Sequence, residues 1–354
     1  MKILCSGACG ESGRSVARAL RMSPIFKDAV LIGTDIAQNI YGLYENLFDN
    51  VYKVPYCTDE SYKSVVQGII DKEKPDAALI MPELEVLFWS KNDFGVPVLL
   101  PHSGFCDIAI SKKRTYEILD STGLVPKYRL LTKEQILYRG CSGLSKPFWM
   151  RDISDGATGA KGAFLVKNNF DAIAWAHLHP STHEFMIAEY LPGRNLACCM
   201  LFDEDRLLKV VCAERLEYAK AKVTPSGITG NTAKGRLLNN EPDIIQAAWK
   251  AVMTLSNNSE KPLSGIVTVD LKENAVGKPY ITEINIRHVA FTEAWAQGGV
   301  NMAEAQMLLL LDRKDEIDLR QVEFPENNLF LRDLDGIPLY VADYNELKIG
   351  ESVR

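Results

Sequence analysis

The stretch Gly265-Ile-Val-Thr-Val-Asp270-Leu-Lys272, a turn through Asn274 to Gly277, and then Pro279-Tyr-Ile-Thr-Glu283-Ile-Asn285-Ile-Arg287 read as a β-hairpin. Side chains alternate across a strand, so Val267, Val269 and Leu271 share one face while Thr268 and Asp270 share the other. On the return strand Ile284 and Ile286 lie together, with Glu283 and Asn285 opposite them. If the apolar faces coincide, Asp270, Glu283 and Asn285 meet on one surface. Three oxygen ligands without sulfur or imidazole suit a hard cation, Mg²⁺ or Mn²⁺, that keeps waters or substrate phosphates in its other positions. Arg287, two residues further on, shares that face as a partner for phosphate. The plainer alternative is a hairpin with a solvated polar face.

Two upstream segments become informative beside it. Arg151-Asp-Ile-Ser-Asp-Gly156-Ala-Thr-Gly159-Ala-Lys161-Gly162 lies between the apolar runs Phe148-Trp-Met150 and Ala163-Phe-Leu-Val166. A glycine loop with a cation between two strands can fold its amides over a phosphate chain. It is not a Walker loop, because no Gly-Lys-Ser/Thr opens a helix, and a plain hairpin explains it equally well. Phe185-Met-Ile-Ala-Glu189-Tyr-Leu191-Pro-Gly193-Arg-Asn195 is an apolar strand running into an acid and a Pro-Gly turn. Such an edge can offer backbone groups to an adenine while Glu189 accepts from an amine, although alone it is an ordinary strand end.

The first ~110 residues have another texture, with apolar runs of four to six alternating with helical patterns. Strands are expected at Lys2 to Cys5, Ala29 to Thr34, Ala77 to Met81 and Val96 to Leu100, and helices at Gly13 to Met22 and Ser61 to Lys72. This order predicts a parallel α/β sheet with ligands at the strands' carboxyl ends. Gly7-x-x-Gly10-x-x-Gly13, with Asp35 ending the second strand, invites an NAD reading. Its spacing is not G-x-G-x-x-G, and glycine turns of this kind also occur in Rossmann-like domains that bind no dinucleotide. Glu83 and Glu85 are candidates to line a substrate pocket, with a solvated acidic loop as the preferred reading. After Lys146 the chain turns to strands and glycine turns, with long helices expected only at Ile244 to Leu255 and Ala303 to Leu311, and a tail hairpin around Asp335-Gly336.

Composition bounds the function. The 354 residues are 47% apolar and 24% charged, an ordinary globular balance. Forty Lys and Arg against 46 Asp and Glu leave −6, so the overall field draws neither nucleic acid nor anionic membrane. No apolar run reaches the ~18–20 residues of a membrane span, and the first residues lack a signal-peptide pattern, so a cytoplasmic protein is expected. Eight cysteines without Cys-x-x-Cys spacing read as reduced thiols packed as small hydrophobes. His177, His179 and His183 near Pro180 read as a surface turn rather than a metal site.

Taken in order, these segments resemble the ATP-grasp superfamily, in its carbamoyl-phosphate-synthase-like branch, over roughly residues 1 to 311. The resemblance implies an α/β Rossmann-like domain over 1–111, a small α+β lobe with the glycine lid over 112–188, a large α+β lobe with the metal site over 189–318, and an unassigned extension over 319–354. It implies that ATP binds with Mg²⁺ or Mn²⁺ between the lobes, phosphorylating a carboxylate that an amine then attacks. Lys112 looks like the basic residue meeting the phosphates from the domain junction. Arg151 occupies the place of the basic residue before the lid, and Gly156, Gly159 and Gly162 resemble the lid glycines. Glu189 and Leu191 resemble the adenine-edge residues. Glu283 and Asn285 match the metal ligands, with Asp270 in the place of the other carboxylate. Arg287 matches the residue beside the transferred phosphoryl group and, with the loop's Lys161, is the candidate catalytic cation. Asn195 stands where many members carry a ribose-binding Glu, and Asp152 and Ile286 replace common prolines, which affects backbone stiffness more than ligand chemistry. The expected partners are a small-molecule carboxylate and amine, with no nucleic acid or membrane, and a homodimer stays open. Bicarbonate or other acyl phosphate chemistry, a non-catalytic ATP-binding protein and an NAD-dependent oxidoreductase are the alternatives.

Overall fold

In a computed structural model of the chain, residues 1–37, 41–141, 143–153, 163–224, 227, 231–239, 241–333 and 346–353 are described. They form three sheets. The first is built from Lys2–Ser6, Val30–Asp35, Asn50–Lys53 and Ala77–Leu79, all parallel, with the chain's last strand, Ser352–Val353, running antiparallel along Asn50–Lys53. The second has four antiparallel strands in the order Tyr128–Thr132, Glu184–Glu189, Phe148–Asp152, Phe164–Val166. The third has six, in the order Pro279–Asn285, Gly265–Glu273, Asn195–Asp203, Arg206–Tyr218, Thr232–Leu238, Phe330–Leu331.

Burial explains the arrangement. The parallel strands have apolar residues on both faces because both are covered. Leu4 and Ile32 join one core with Met200, Val269 and the helix Pro242–Ser256, while Ile3 and Leu31 join another with Cys199, Trp295 and Met307. The first and third sheets therefore share two cores, whereas the small sheet packs Phe148, Phe185 and Ile187 under its own helices. All eight cysteines are buried and unbridged, as their scattered spacing predicts.

The structure corrects the sequence reading of several elements. Val96 to Leu100 is not a strand: only Val98 bridges to Ala78, because Pro97 and Pro101 cannot donate to a ladder. A third helix follows residue 146, Asn169–Leu178, opened by a reciprocal cap between Asn168 and Asp171. The tail turn expected around Asp335-Gly336 lies outside the described residues.

Candidate active site

The hairpin forms as its alternation predicts, with one irregularity that matters. Asp270 stands directly opposite Glu283 and Thr268 opposite Asn285, so the two acids and the amide share a face. Val267, Val269, Ile284 and Ile286 turn into the core beneath the helix Pro242–Ser256. The register shifts after Asp270, where Thr282 is the extra residue. That bulge takes the Thr282 carbonyl out of the ladder, and Arg151 Nη1 donates to it over 3.3 Å. The Thr282 hydroxyl donates to the Asp270 carbonyl at 3.1 Å, pinning the bend.

Cations converge on this face from several elements. Ser111 caps the helix Lys112–Leu119, accepting from the Arg114 amide, and so places Lys112 at the helix start. Lys112 Nζ lies 2.9 Å from Glu283 Oε1, with side chains only 7% and 19% exposed. Burial opposes ionisation of Glu283, but Lys112, Arg151 and Arg287 outweigh it and hold its carboxyl below the usual range. Arg215, from the strand Arg206–Tyr218, sets Nη2 2.7 Å from Asp270 Oδ1. Burial raises the Asp270 carboxyl against the opposing pull of Arg215. Arg287 donates from Nη1 to the Ser12 hydroxyl (3.3 Å) and the His288 carbonyl (3.0 Å), and its Nε lies 3.6 Å from Glu83. Asn285 donates its amide to the Thr268 carbonyl at 3.3 Å, leaving its side-chain oxygen as an acceptor.

Lys112, Arg151, Arg215 and Arg287 line one cavity of about 1030 Å³ together with Asp270, Glu283 and Asn285. The strand Glu184–Glu189 gives way to the turn through Gly193, and Glu189, Leu191 and Asn195 line the same cavity, as do Trp149 and Leu165. Gly193 is required here: its amide donates to the Glu273 carbonyl at 2.8 Å, and a Cβ would sit 2.6 Å from that of Glu273. Nine sequence-derived candidates are thus brought together: Lys112, Arg151, Glu189, Leu191, Asn195, Asp270, Glu283, Asn285 and Arg287. Gly156, Gly159, Lys161 and Gly162 lie outside the described residues.

Other groups emerge only from the fold. Glu83 and Glu85 are not a solvated loop: they open the helix Glu83–Lys91 behind Pro82, and both side chains are buried. Acids in a first helical turn after a proline were a readable helix signal. Burial pushes the Glu85 carboxyl up to about 7, against hydrogen bonds from Ser6 and Tyr62. Arg215 carried no local signal, because its partner is 55 residues away. Asp35, the acid of the glycine-turn pattern, accepts from the amides of Cys9 (2.9 Å) and Ala37 (2.8 Å), so its carboxylate is engaged in holding the turn.

The donor set fits a hard divalent cation, since two carboxylates and an amide oxygen face one another without sulfur or imidazole. The cavity also fits a polar ligand: among the described residues the buried Tyr116 hydroxyl, Arg151 Nε and Arg215 Nε have no hydrogen-bond partner.

No curated protein sequence matches the chain. Among solved structures it is similar to an L-amino acid ligase from Bacillus licheniformis, at a TM-score of 0.65 and 14% identity over 90% of this chain and 77% of that one. It is also similar to an ATP complex of a carboxyaminoimidazole ribonucleotide synthase from Aspergillus clavatus, at 0.66 and 14% over 93% and 81%. An ATP complex of a D-alanine–D-alanine ligase from Bacillus anthracis matches at 0.52 and 13% over 89% and 99%. At these identities the likeness concerns the fold, an α/β Rossmann-like domain followed by two α+β lobes. The model of the ATP-grasp domain matches residues 109–290, more than half of the 354, and the chain belongs to the ATP-grasp family.

Proposed function

We propose that the protein is an ATP- and divalent-cation-dependent ligase that activates a carboxylate as an acyl phosphate, joins it to an amine and releases ADP and phosphate. The observation that carries this reading is that Asp270, Glu283 and Asn285 share one cavity with Lys112, Arg151 and Arg287 and with the Glu189–Leu191 edge. The relatives of like fold, named as ligases and a synthase, support the class.

The charges suit phosphoryl transfer, which depends on positioning and neutralisation more than on covalent help from protein groups. Glu189 and Leu191 seat the adenine edge. Lys112 and Arg151 meet the terminal phosphates, and Arg287 meets the group in transfer. Asp270, Glu283 and Asn285 would hold Mg²⁺ or Mn²⁺, which when bound neutralises phosphate charge. A substrate carboxylate oxygen forms a bond to the γ-phosphorus as the bond to the ADP oxygen breaks. The amine then attacks the acyl carbon, inorganic phosphate departs and the nitrogen loses a proton. Carboxylate activation of this kind turns a poor electrophile into one that an amine attacks.

The test is to incubate the protein with Mg-ATP and mixtures of carboxylates and amines, following condensed products by mass and nucleotides by chromatography. ADP should appear in step with product. AMP in its place would mean attack at the α-phosphorus and would overturn the mechanism, and no product-linked nucleotide turnover with any mixture would overturn the ligase reading.

A further inference from the structure

Arg287 lines the cavity, but the residue after it turns away into the interior. The buried His288 sets Nε2 2.8 Å from Gln306 Oε1, on the helix Met302–Leu310, and Gln306 Nε2 donates to the Leu99 carbonyl at 3.0 Å. Only the amide nitrogen can donate to a carbonyl, so the Leu99 bond fixes which way the Gln306 amide points. Its oxygen therefore faces His288, and the imidazole carries its proton on Nε2. Nδ1 is buried and has no hydrogen-bond partner among the described residues. Burial, and less strongly the neighbouring Arg287, hold the ring's pKa down to about 4 against the Gln306 bond, so the ring is neutral near pH ~7. The proposed chemistry uses neither residue.

The bonds around this pair lead back to one helix of the first domain, Glu11–Met22. Asn301 caps Met302–Leu310 by accepting from the Glu304 amide, and its own amide donates to the Ala19 carbonyl at 2.7 Å. Ser23, the residue that ends Glu11–Met22, donates its hydroxyl to Glu304. Arg287 Nη1 reaches the other end of that helix at the Ser12 hydroxyl and also donates to the His288 carbonyl, while the Thr268 hydroxyl donates to the Arg287 carbonyl at 3.0 Å. The guanidinium and the Gln306 amide thus take their places from the same helix, with His288 as the link between them. Without its bond to Gln306 the backbone at His288 would be free to turn, and the guanidinium would lose an acceptor that fixes its direction.

We infer that Gln306 and His288 are positioning residues for Arg287, aiming its guanidinium at the phosphoryl group in transfer. Gln306 and its partner Leu99 both lie outside residues 109–290, so the cation is held from beyond the ATP-grasp domain. The inference rests on the ligase reading for what Arg287 touches.

The test compares the Mg complexes of ADP and of the non-hydrolysable analogue AMPPNP by calorimetry on the full-length protein. Only AMPPNP carries the terminal phosphoryl group, so the ratio of the two affinities reads where the guanidinium points. Arg287→Gln sets the scale, with an expected loss of at least about tenfold for AMPPNP and little change for ADP. Gln306→Leu and His288→Leu should each produce at least about threefold of the same selective loss, and His288→Gln, which keeps a donor to Gln306, should recover most of it. In the Arg287→Gln background Gln306→Leu should add nothing, because the group it positions is gone. Melting curves check folding, and Gln306→Met, closer in shape, replaces either Leu variant that does not fold. Equal weakening of ADP and AMPPNP, unchanged AMPPNP affinity, or full additivity with Arg287→Gln would overturn the inference. Failure of the wild type to bind either nucleotide would instead count against the ligase reading. Arginine side-chain NMR spectra of the nucleotide-free protein would then decide, since the Arg287 Nε–H signal should broaden in Gln306→Leu and an unchanged signal would overturn the inference.

Discussion

Replacing Glu283 by Gln removes one charge from the cluster it forms with Lys112, Arg151 and Arg287, and two effects follow. The first is on stability. Lys112 Nζ sits 2.9 Å from Glu283, and breaking a buried pair by deleting one partner costs roughly 3–5 kcal/mol. The cost here should fall below that range, to about 2 kcal/mol, because Glu283 retains some exposure and Lys112 also feels Glu83. The second effect is on turnover. At an effective dielectric of about 20, one unit charge about 4 Å from another contributes about 4 kcal/mol, or nearly 10³ in rate. Glu283→Gln should therefore fold, melt a few degrees lower and lose about 10³-fold in Mg-dependent ADP release, while Glu283→Asp should keep part of the activity. The stability difference carries a pH signature. A carboxyl held below its usual range stabilises the fold above the unfolded value of ~4.3, and that contribution is lost as pH falls through its folded pKa. The two proteins should converge in acid. Wild-type ADP release from the Gln variant, or a stability gap that widens as pH falls, would refute the reasoning.

Two further predictions address the scaffold. Burial raises the Glu85 carboxyl to about 7, so its contribution to stability is fully present below pH ~4.3 and is lost as pH rises through 7. Glu85→Gln should accordingly stabilise the protein by about 1–3 kcal/mol at pH 8 and by little at pH 4.5, measured by urea unfolding, and an equal loss at both pH values would contradict this. A Cβ at Gly235 would overlap the Phe330 ring, so Gly235→Ala should cost about 1–3 kcal/mol and expose the tail to limited proteolysis. Wild-type resistance to protease would show that the tail is anchored elsewhere.

Much of the site was legible in the sequence because it follows local periodicity. In Gly265–Glu273 and Pro279–Asn285 the two-residue repeat alone assigns Asp270, Glu283 and Asn285 to the polar face and Val267, Val269 and Ile284 to the core. The parallel sheet was legible for the same reason, since continuous apolar runs separated by helical patterns bury both faces. The ordered appearance of Lys112, Arg151, Glu189 and the hairpin then pointed to one family.

What the tertiary structure decided are encounters between residues distant in sequence. The bulge at Thr282 is a matter of cross-strand register, and it gives Arg151 a carbonyl to hold. Arg215 meets Asp270 because their strands flank Asn195–Asp203 in one sheet. Glu83 reads as an exposed acid until helix packing buries it against Arg287. Arg332 enters the cavity only because Phe330 finds Gly235 and Phe291 across the sheet. Local pattern determines which way a side chain points from its own strand or helix, whereas the charge it finally faces depends on which distant segment the shared cores bring alongside.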